Sequence, residues 1–190
     1  MTRNRLEAFS DGVLAIVITI MVLELKVPHD PSWAALRALW PVFLSYALSF
    51  IYIGIYWNNH HHMLHAVQHV NGRVLWANQH LLFWLSLVPF ATAWMGENHF
   101  APLPVALYGV SLLMPAIAYT ILTRTLVALH GANSTFTRAL GSDLKGKLSL
   151  ALYATGTLLA LRVPWVAFTI YALVAVIWFV PDRRFERAHT

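Results

Sequence analysis

Three residues at the head of the first apolar run carry the most chemical information. Arg5, Ser10 and Asp11 stand in Arg5-Leu-Glu-Ala-Phe9-Ser10-Asp11-Gly, and an eleven-residue apolar run, Val13 to Leu23, follows at once. The next charge after Asp11 is Glu24, thirteen residues on. In a helix that separation is about 20 Å, against about 30 Å for the hydrocarbon core of a bilayer. If the segment spans, Asp11 or Glu24, or both, lies near or inside the hydrocarbon edge. A carboxylate there is costly unless it faces protein or water, so the first helix is expected to line something. Two readings of Asp11 stay open. With Ser10 it can cap a helix start, or it can join a polar network with other helices. Arg5 points about 120° away from Asp11 around a helix, so the two are not expected to pair within it. Candidate partners at the same depth are Trp57, His60, His61 and Asn78.

A second cluster invites a rival chemistry. His60, His61, His62, His65 and His69 resemble a histidine box, and His61/His65 and His65/His69 have the i, i+4 spacing of metal ligands. A membrane metalloenzyme using His60–His69 is one alternative. The remaining histidines are scattered, however, and such enzymes use several boxes. The bland reading is a juxtamembrane, interfacial loop. There is no phosphate-binding loop, dinucleotide fingerprint or Gly-x-Ser-x-Gly elbow, so no enzymatic chemistry is expected. A Thr-Val-Gly-Tyr-Gly filter and an arginine ladder are also absent. No metal or other cofactor is expected.

These residues must be positioned by membrane helices. Of 190 residues, 58% are hydrophobic and 11% charged, and mean hydropathy is +0.59; soluble domains carry about 25% charge. There is no cysteine. The expected architecture is all-α and polytopic: one domain, 1–190, with spans at 7–26, 36–58, 74–95, 102–123, 147–161 and 164–180. Arg162-Val-Pro164 marks a turn between the last two, and a polar connector from His130 to Lys147 divides four spans from two. With the N-terminus inside, Arg3, Arg5, Arg73, Arg124, Arg138, Lys145, Lys147, Arg183, Arg184 and Arg187 fall on the cytoplasmic side. Lys26, Arg37 and Arg162 fall outside. This asymmetry predicts cytoplasmic termini and makes the net charge of +5 a matter of topology, with no nucleic-acid partner. The head of the chain has no cleavage pattern, so the first span is expected to persist. A small secondary transporter is the other alternative, though no internal repeat is visible.

On the first helix, Ile16, Thr19, Ile20 and Leu23 share one stripe. Such a stripe either packs within the subunit or lines a narrow apolar pore in a symmetric oligomer. Val17 and Met21 lie off it, about 100° or more around the helix from Ile16.

Arg5-x-x-x-Phe9-Ser10-Asp11, running into Ala15-Ile16-x-Ile18-Thr19 and Val22-Leu23-Glu24-Leu25-Lys26-Val27-Pro28, resembles the first-helix signature of the transmembrane protein 175 family, the bacterial relatives of the endosomal and lysosomal potassium channel. Tyr56-Trp57-x-x-His60-His61 is similar to that family's second-helix end. Asn78 with Leu81 and Leu82, then Ser86-Leu87-x-Pro89-Phe90, is similar to its third. The resemblance covers the first half of the chain. It implies a homotetramer of six-helix subunits in the bacterial inner membrane, with four first helices around a central pore. The implied function is a potassium-selective leak without a carbonyl filter, with proton passage an open addition. It further implies constrictions at Ile16 and Leu23, lining at Thr19 and Ile20, and a supporting network of Arg5, Ser10, Asp11, Trp57, Asn78 and His60 or His61. In that reading Trp57 is one group able to fix the Thr19 hydroxyl.

Overall fold

The structure is a computed structural model and describes residues 2–131, 134–140 and 143–179. Arg183, Arg184, Arg187 and Val180 of the expected topology, and Asn133 and Gly141 of the connector, lie outside the described residues. Among the described residues there are nine helices and no strand: α1 Arg3–Leu23, α2 Trp33–Ala38, α3 Trp40–His65, α4 Gly72–Ser86, α5 Val88–Glu97, α6 Pro102–His130, α7 Thr135–Leu140, α8 Leu144–Ala160 and α9 Pro164–Phe179.

Local chemistry explains the boundaries. Ser32, Asn71 and Asp143 cap α2, α4 and α8, their side chains accepting from the backbone N–H groups of Ala35, Val74 and Gly146. Proline opens α6 and lies in the first turns of α3 and α5, where its missing N–H costs nothing. Pro89 also interrupts the third expected span. The Leu87 N–H bonds Trp84 O three residues back, and the span becomes two helices joined at Leu87. Gly131, at φ 87°, ends α6, a conformation suited to glycine.

Several expected limits move. The first helix begins at Arg3 and not at residue 7, so Ser10 and Asp11 are two turns inside it and cap nothing. The second span does not end at 58. Nothing between Trp57 and His65 stops a helix, and α3 carries the histidines as an ordered face, not as a loop. The fourth continues from 123 to His130. The turn expected at Arg162 is present, with Arg162 and Val163 both donating to Leu159 O.

Four segments are long and apolar enough to cross a bilayer: Arg3–Leu23, Trp40–His65, Gly72–Glu97 and Pro102–His130. α9 is apolar but shorter, and α8 has 17 residues. Two apolar cores share the bundle. One is built by Leu14, Val17 and Met21 of α1 with Met63, Leu81, Leu85 and Leu122. The other is built by Tyr52, Met95, Tyr108, Tyr153, Phe168 and Tyr171 of α3, α5, α6, α8 and α9. The long helices α3 and α6 contribute to both. α1 therefore belongs to one core only and lies at the edge of the bundle, against α3, α4 and α5. Glycines permit the tightest approaches. A Cβ on Gly96 would stand 2.8 Å from Val42 Cα, and one on Gly109 would stand 2.1 Å from the Tyr171 hydroxyl.

Candidate functional site

The two faces of α1 differ sharply. Leu6, Ser10, Leu14, Val17 and Met21 are buried, the spacing of a helix stripe packed on a core. The opposite stripe is bare: Ile16 is 58% and Leu23 78% exposed, and Thr19 and Ile20 lie exposed between them. Thr19 is the one polar side chain along it from Val13 to Leu23. Its hydroxyl donates back to Ala15 O (3.1 Å) and Ile16 O (3.0 Å), so the oxygen lone pairs are left for whatever faces the stripe.

The buried face is pinned by polar groups in a fixed order. Ser10 is fully buried, and its hydroxyl donates to Leu6 O at 2.9 Å. The Asn78 amide donates to Ser10 Oγ at 2.9 Å, which turns the Asn78 carbonyl toward His60 Nε2 at 2.7 Å. A carbonyl only accepts, so the His60 proton sits on Nε2. His60 Nδ1 is then a buried lone pair with no partner among the described residues. Burial without compensation would make this line costly. Joined end to end, it satisfies every other member and fixes α1 against α3 and α4 in one register.

A second row lies nearer the surface. Trp57 Nε1 donates to Asp11 Oδ1 at 3.0 Å. His61 Nδ1 meets Glu7 Oε1 at 2.9 Å, and its ring stacks on Trp57 and His65 with centroids 6.0 and 5.8 Å apart. Arg3 Nη1 donates to His65 O and Val67 O at 3.3 and 3.1 Å. Arg3, Glu7, Ser10 and Asp11 therefore fall at i, i+4, i+7 and i+8, one face of the helix. At the far end Lys26 and Glu97 form an ion pair that ties the chain after α1 to the end of α5.

Of the residues singled out in the sequence, Ser10, Asn78 and His60 are brought into one chain, and Asp11 and Trp57 into a pair beside it. His61 goes to Glu7, and neither His60 nor His61 bonds Asp11. Trp57 does not hold Thr19; its one N–H is spent on Asp11. Arg5 is exposed and takes no hydrogen-bond or ion-pair partner among the described residues. It lies about 20° from Ile16 around the helix, on the bare stripe and not on the pinned face. Glu7 and Arg3 were missed, although the i, i+4 step from each to the next polar position was readable. No group of three or more potential metal ligands is assembled among the described residues, the histidines of α3 included.

Comparison with known proteins places this geometry in context. The family model described as "Endosomal/lysosomal potassium channel TMEM175" matches residues 5–89, the stretch that contains α1, the pinned face of α3 and Asn78. A Chryseobacterium sp. (strain P1-3) protein named as a potassium channel is 56% identical over 188 residues, 99% of this chain and 98% of that one. The human protein named endosomal/lysosomal proton channel TMEM175 is 42% identical over 74 residues, 32% of this chain and 14% of that one. The fold is similar to the crystal structure of a lysosomal potassium-selective channel TMEM175 homolog from Chamaesiphon minutus. The TM-score is 0.82 at 28% identity, covering 95% of this chain and 97% of that one.

Proposed function

The chain belongs to the endosomal/lysosomal potassium channel TMEM175 family, and from that membership we propose that it conducts potassium through a pore lined by α1 from each of four copies. The observation that carries this is the division of α1. One face is locked into the subunit by Ser10, Asn78 and His60, while an apolar stripe with one hydroxyl position is left bare at the bundle's edge. A helix held this firmly on one side has its other side free to meet copies of itself around an axis.

In that assembly the Ile16 and Leu23 rings are the constrictions. Apolar rings of this kind gate by excluding water and keep conduction small. Thr19, between them, offers four hydroxyl oxygens that replace part of the hydration shell of an ion, with Ile20 beside it. The subunit is one domain, 1–190, with six spans: α1, α3, α4 with α5, α6, α8 and α9. Both termini are cytoplasmic and the protein is multi-pass in the bacterial inner membrane. Ser10, Asp11, Trp57, His60, His61 and Asn78 form the supporting network within the subunit, and Arg5 completes it across the interface, since its own subunit offers it nothing. Proton passage is a second conducted species, by analogy with animal relatives named proton channels. Nothing in the geometry favours a transporter or a metalloenzyme.

The test is flux in liposomes combined with single cysteines, which a chain without native cysteine permits. Purified protein is expected to pass K⁺ faster than Na⁺ with no nucleotide and no coupled gradient. Water-soluble thiol reagents are expected to alter current in Thr19→Cys and Leu23→Cys, from outside faster at Leu23, and to leave Val17→Cys and Met21→Cys untouched. Flux without reactivity anywhere on α1 would move the pore to another helix; absence of flux would remove the channel reading.

A further inference from the structure

We propose that the groove between the first half of α4 and the last third of α6 binds an anionic phospholipid of the cytoplasmic leaflet, a proposal that rests on the orientation given above. Arg73, Trp76 and His80 of α4 and Ile121 and Thr125 of α6 line it. α4 begins and α6 ends at the Arg3 end of α1, which is the cytoplasmic end in that orientation, so the mouth of the groove lies at headgroup depth.

The chemistry of the groove changes along its length. At the mouth Arg73 lines the groove and is exposed; Arg124, exposed on α6 next to Thr125, flanks the lining from outside it. Neither guanidinium has an ion-pair partner among the described residues. Next comes Trp76, 78% exposed, an indole at the depth where aromatic residues anchor helices in membranes. The floor is Ile121, 42% exposed, and Thr125.

His80 is one helical step deeper, about 10 Å along α4 from Arg73. Trp84 Nε1 donates to His80 Nε2 at 2.9 Å. An indole N–H can only donate, so the proton of the neutral His80 ring is on Nδ1. That Nδ1–H meets no acceptor among the described residues. The groove therefore presents a lining cation with a second beside it, an amphipathic ring and a single N–H donor over the Ile121 and Thr125 floor. A phosphodiester, its glycerol and a fatty-acyl ester carbonyl present the complementary order, and basic pockets between helices on this side are where acidic headgroups bind.

A second copy of the chain is a poorer occupant. Of the carboxylates described at this end, Glu7 is taken by His61, Asp11 by Trp57, and Asp143 caps α8. The two arginines would meet no acid from a neighbour's described surface. The phosphate of a lipid is the anion present at that depth.

The assembled, detergent-solubilised channel is titrated with phosphatidylglycerol and phosphatidylcholine of identical chains, and bound lipid is counted by native mass spectrometry. Phosphatidylglycerol is expected to bind more tightly by about fivefold for each arginine engaged. Arg73→Gln and Arg124→Gln each reduce that preference and together abolish it. His80→Phe weakens both lipids alike and leaves the preference intact, since the ester carbonyl is common to both. Arg138→Gln with Lys147→Gln, which removes equal charge from the same side, leaves the preference unchanged. A preference that survives the Arg73/Arg124 pair, or that falls equally with the Arg138/Lys147 pair, overturns the site. So does a disulfide formed between subunits by Trp76→Cys. Potassium flux measured on the same protein reconstituted in liposomes separates the two readings: lipid preference without flux removes the channel alone, and flux without lipid preference removes only this site.

Discussion

At the scale of single residues, function turns on which polar atoms are spoken for. Asn78 serves two buried partners, Ser10 and His60. Asn78→Ala strands both, and each stranded group costs about 1–3 kcal/mol. Ser10→Ala strands only the Asn78 N–H, because the Ser10 hydroxyl was itself bound within α1. The expected order of thermal destabilisation of the assembled protein is therefore Asn78→Ala above Ser10→Ala, measurable by fluorescence-detected size exclusion after heating. Asp11 has a different weight. It is half-buried and holds the Trp57 indole through one bond, so Asp11→Ala is expected to cost about 1.5–3 kcal/mol, the value of a hydrogen bond to a charged group. Asp11→Asn keeps the acceptor and is expected to recover most of it. Trp57→Phe added to Asp11→Ala should cost little more than either alone; full additivity would show that the two side chains act separately. Much of this was legible in advance. The types and depth of Asp11, Trp57 and Asn78 marked them as partners for polar groups on neighbouring helices, and an indole N–H from Trp57 to α1 was readable; the pairing of Asn78 with Ser10 was not. The division of labour between His60 and His61 was not, because adjacent residues lie about 100° apart on a helix and only the packed neighbours decide which faces in. Arg5 was grouped with Ser10 and Asp11 because it shares a motif with them, yet its angular position put it with Ile16.

At the scale of elements, a helical wheel groups Ile16, Thr19, Ile20 and Leu23 on one stripe but leaves open whether that stripe packs or stays free; within the subunit it is the bare one. The break at Leu87 was harder to see. A proline inside an apolar run can be absorbed as a kink or can start a new helix, and the choice depends on packing far along the chain. Tight glycine approaches are likewise invisible in sequence, since every membrane helix has small residues. Here they can be ranked. Gly109→Ala and Gly156→Ala drive a methyl into Tyr171 and are expected to destabilise the α6–α8–α9 packing by about 1–3 kcal/mol each, the usual cost of overpacking. Gly54→Ala meets nothing within 4 Å and should be silent in the same heating assay. A silent Gly109→Ala would mean that α6 and α9 stand further apart.

At the scale of the whole molecule, Gly12 becomes the informative glycine. It is exposed on α1, and within one subunit an added Cβ there meets open space. If four copies bring their first helices together, that space is filled by a neighbour. Gly12→Ala is then expected to weaken the tetramer while leaving the fold of a subunit unchanged, so the readout is assembly size at low protein concentration against helicity. A fully stable Gly12→Ala tetramer would place the contact elsewhere on α1. The all-helical, membrane-embedded class was readable from charge and hydropathy, because those are properties of the chain's exchange with the bilayer. The two separate cores were not, since they arise from how α3 and α6 are shared.

The unequal lengths of α6 and α8 have a consequence for the host membrane. At 1.5 Å per residue, the 29 residues of α6 extend about 44 Å and the 17 of α8 about 26 Å, and Lys145 and Lys147 occupy the first turn of α8. If α8 spans, as proposed above, its length falls short of a bilayer of ordinary thickness, so lipid on that flank must thin or the lysines must reach outward, at a fraction of a kcal/mol per ångström of mismatch. Each subunit would then dimple the bilayer beside α8. Longer acyl chains make that dimple more expensive, and neighbouring channels can share it by drawing together.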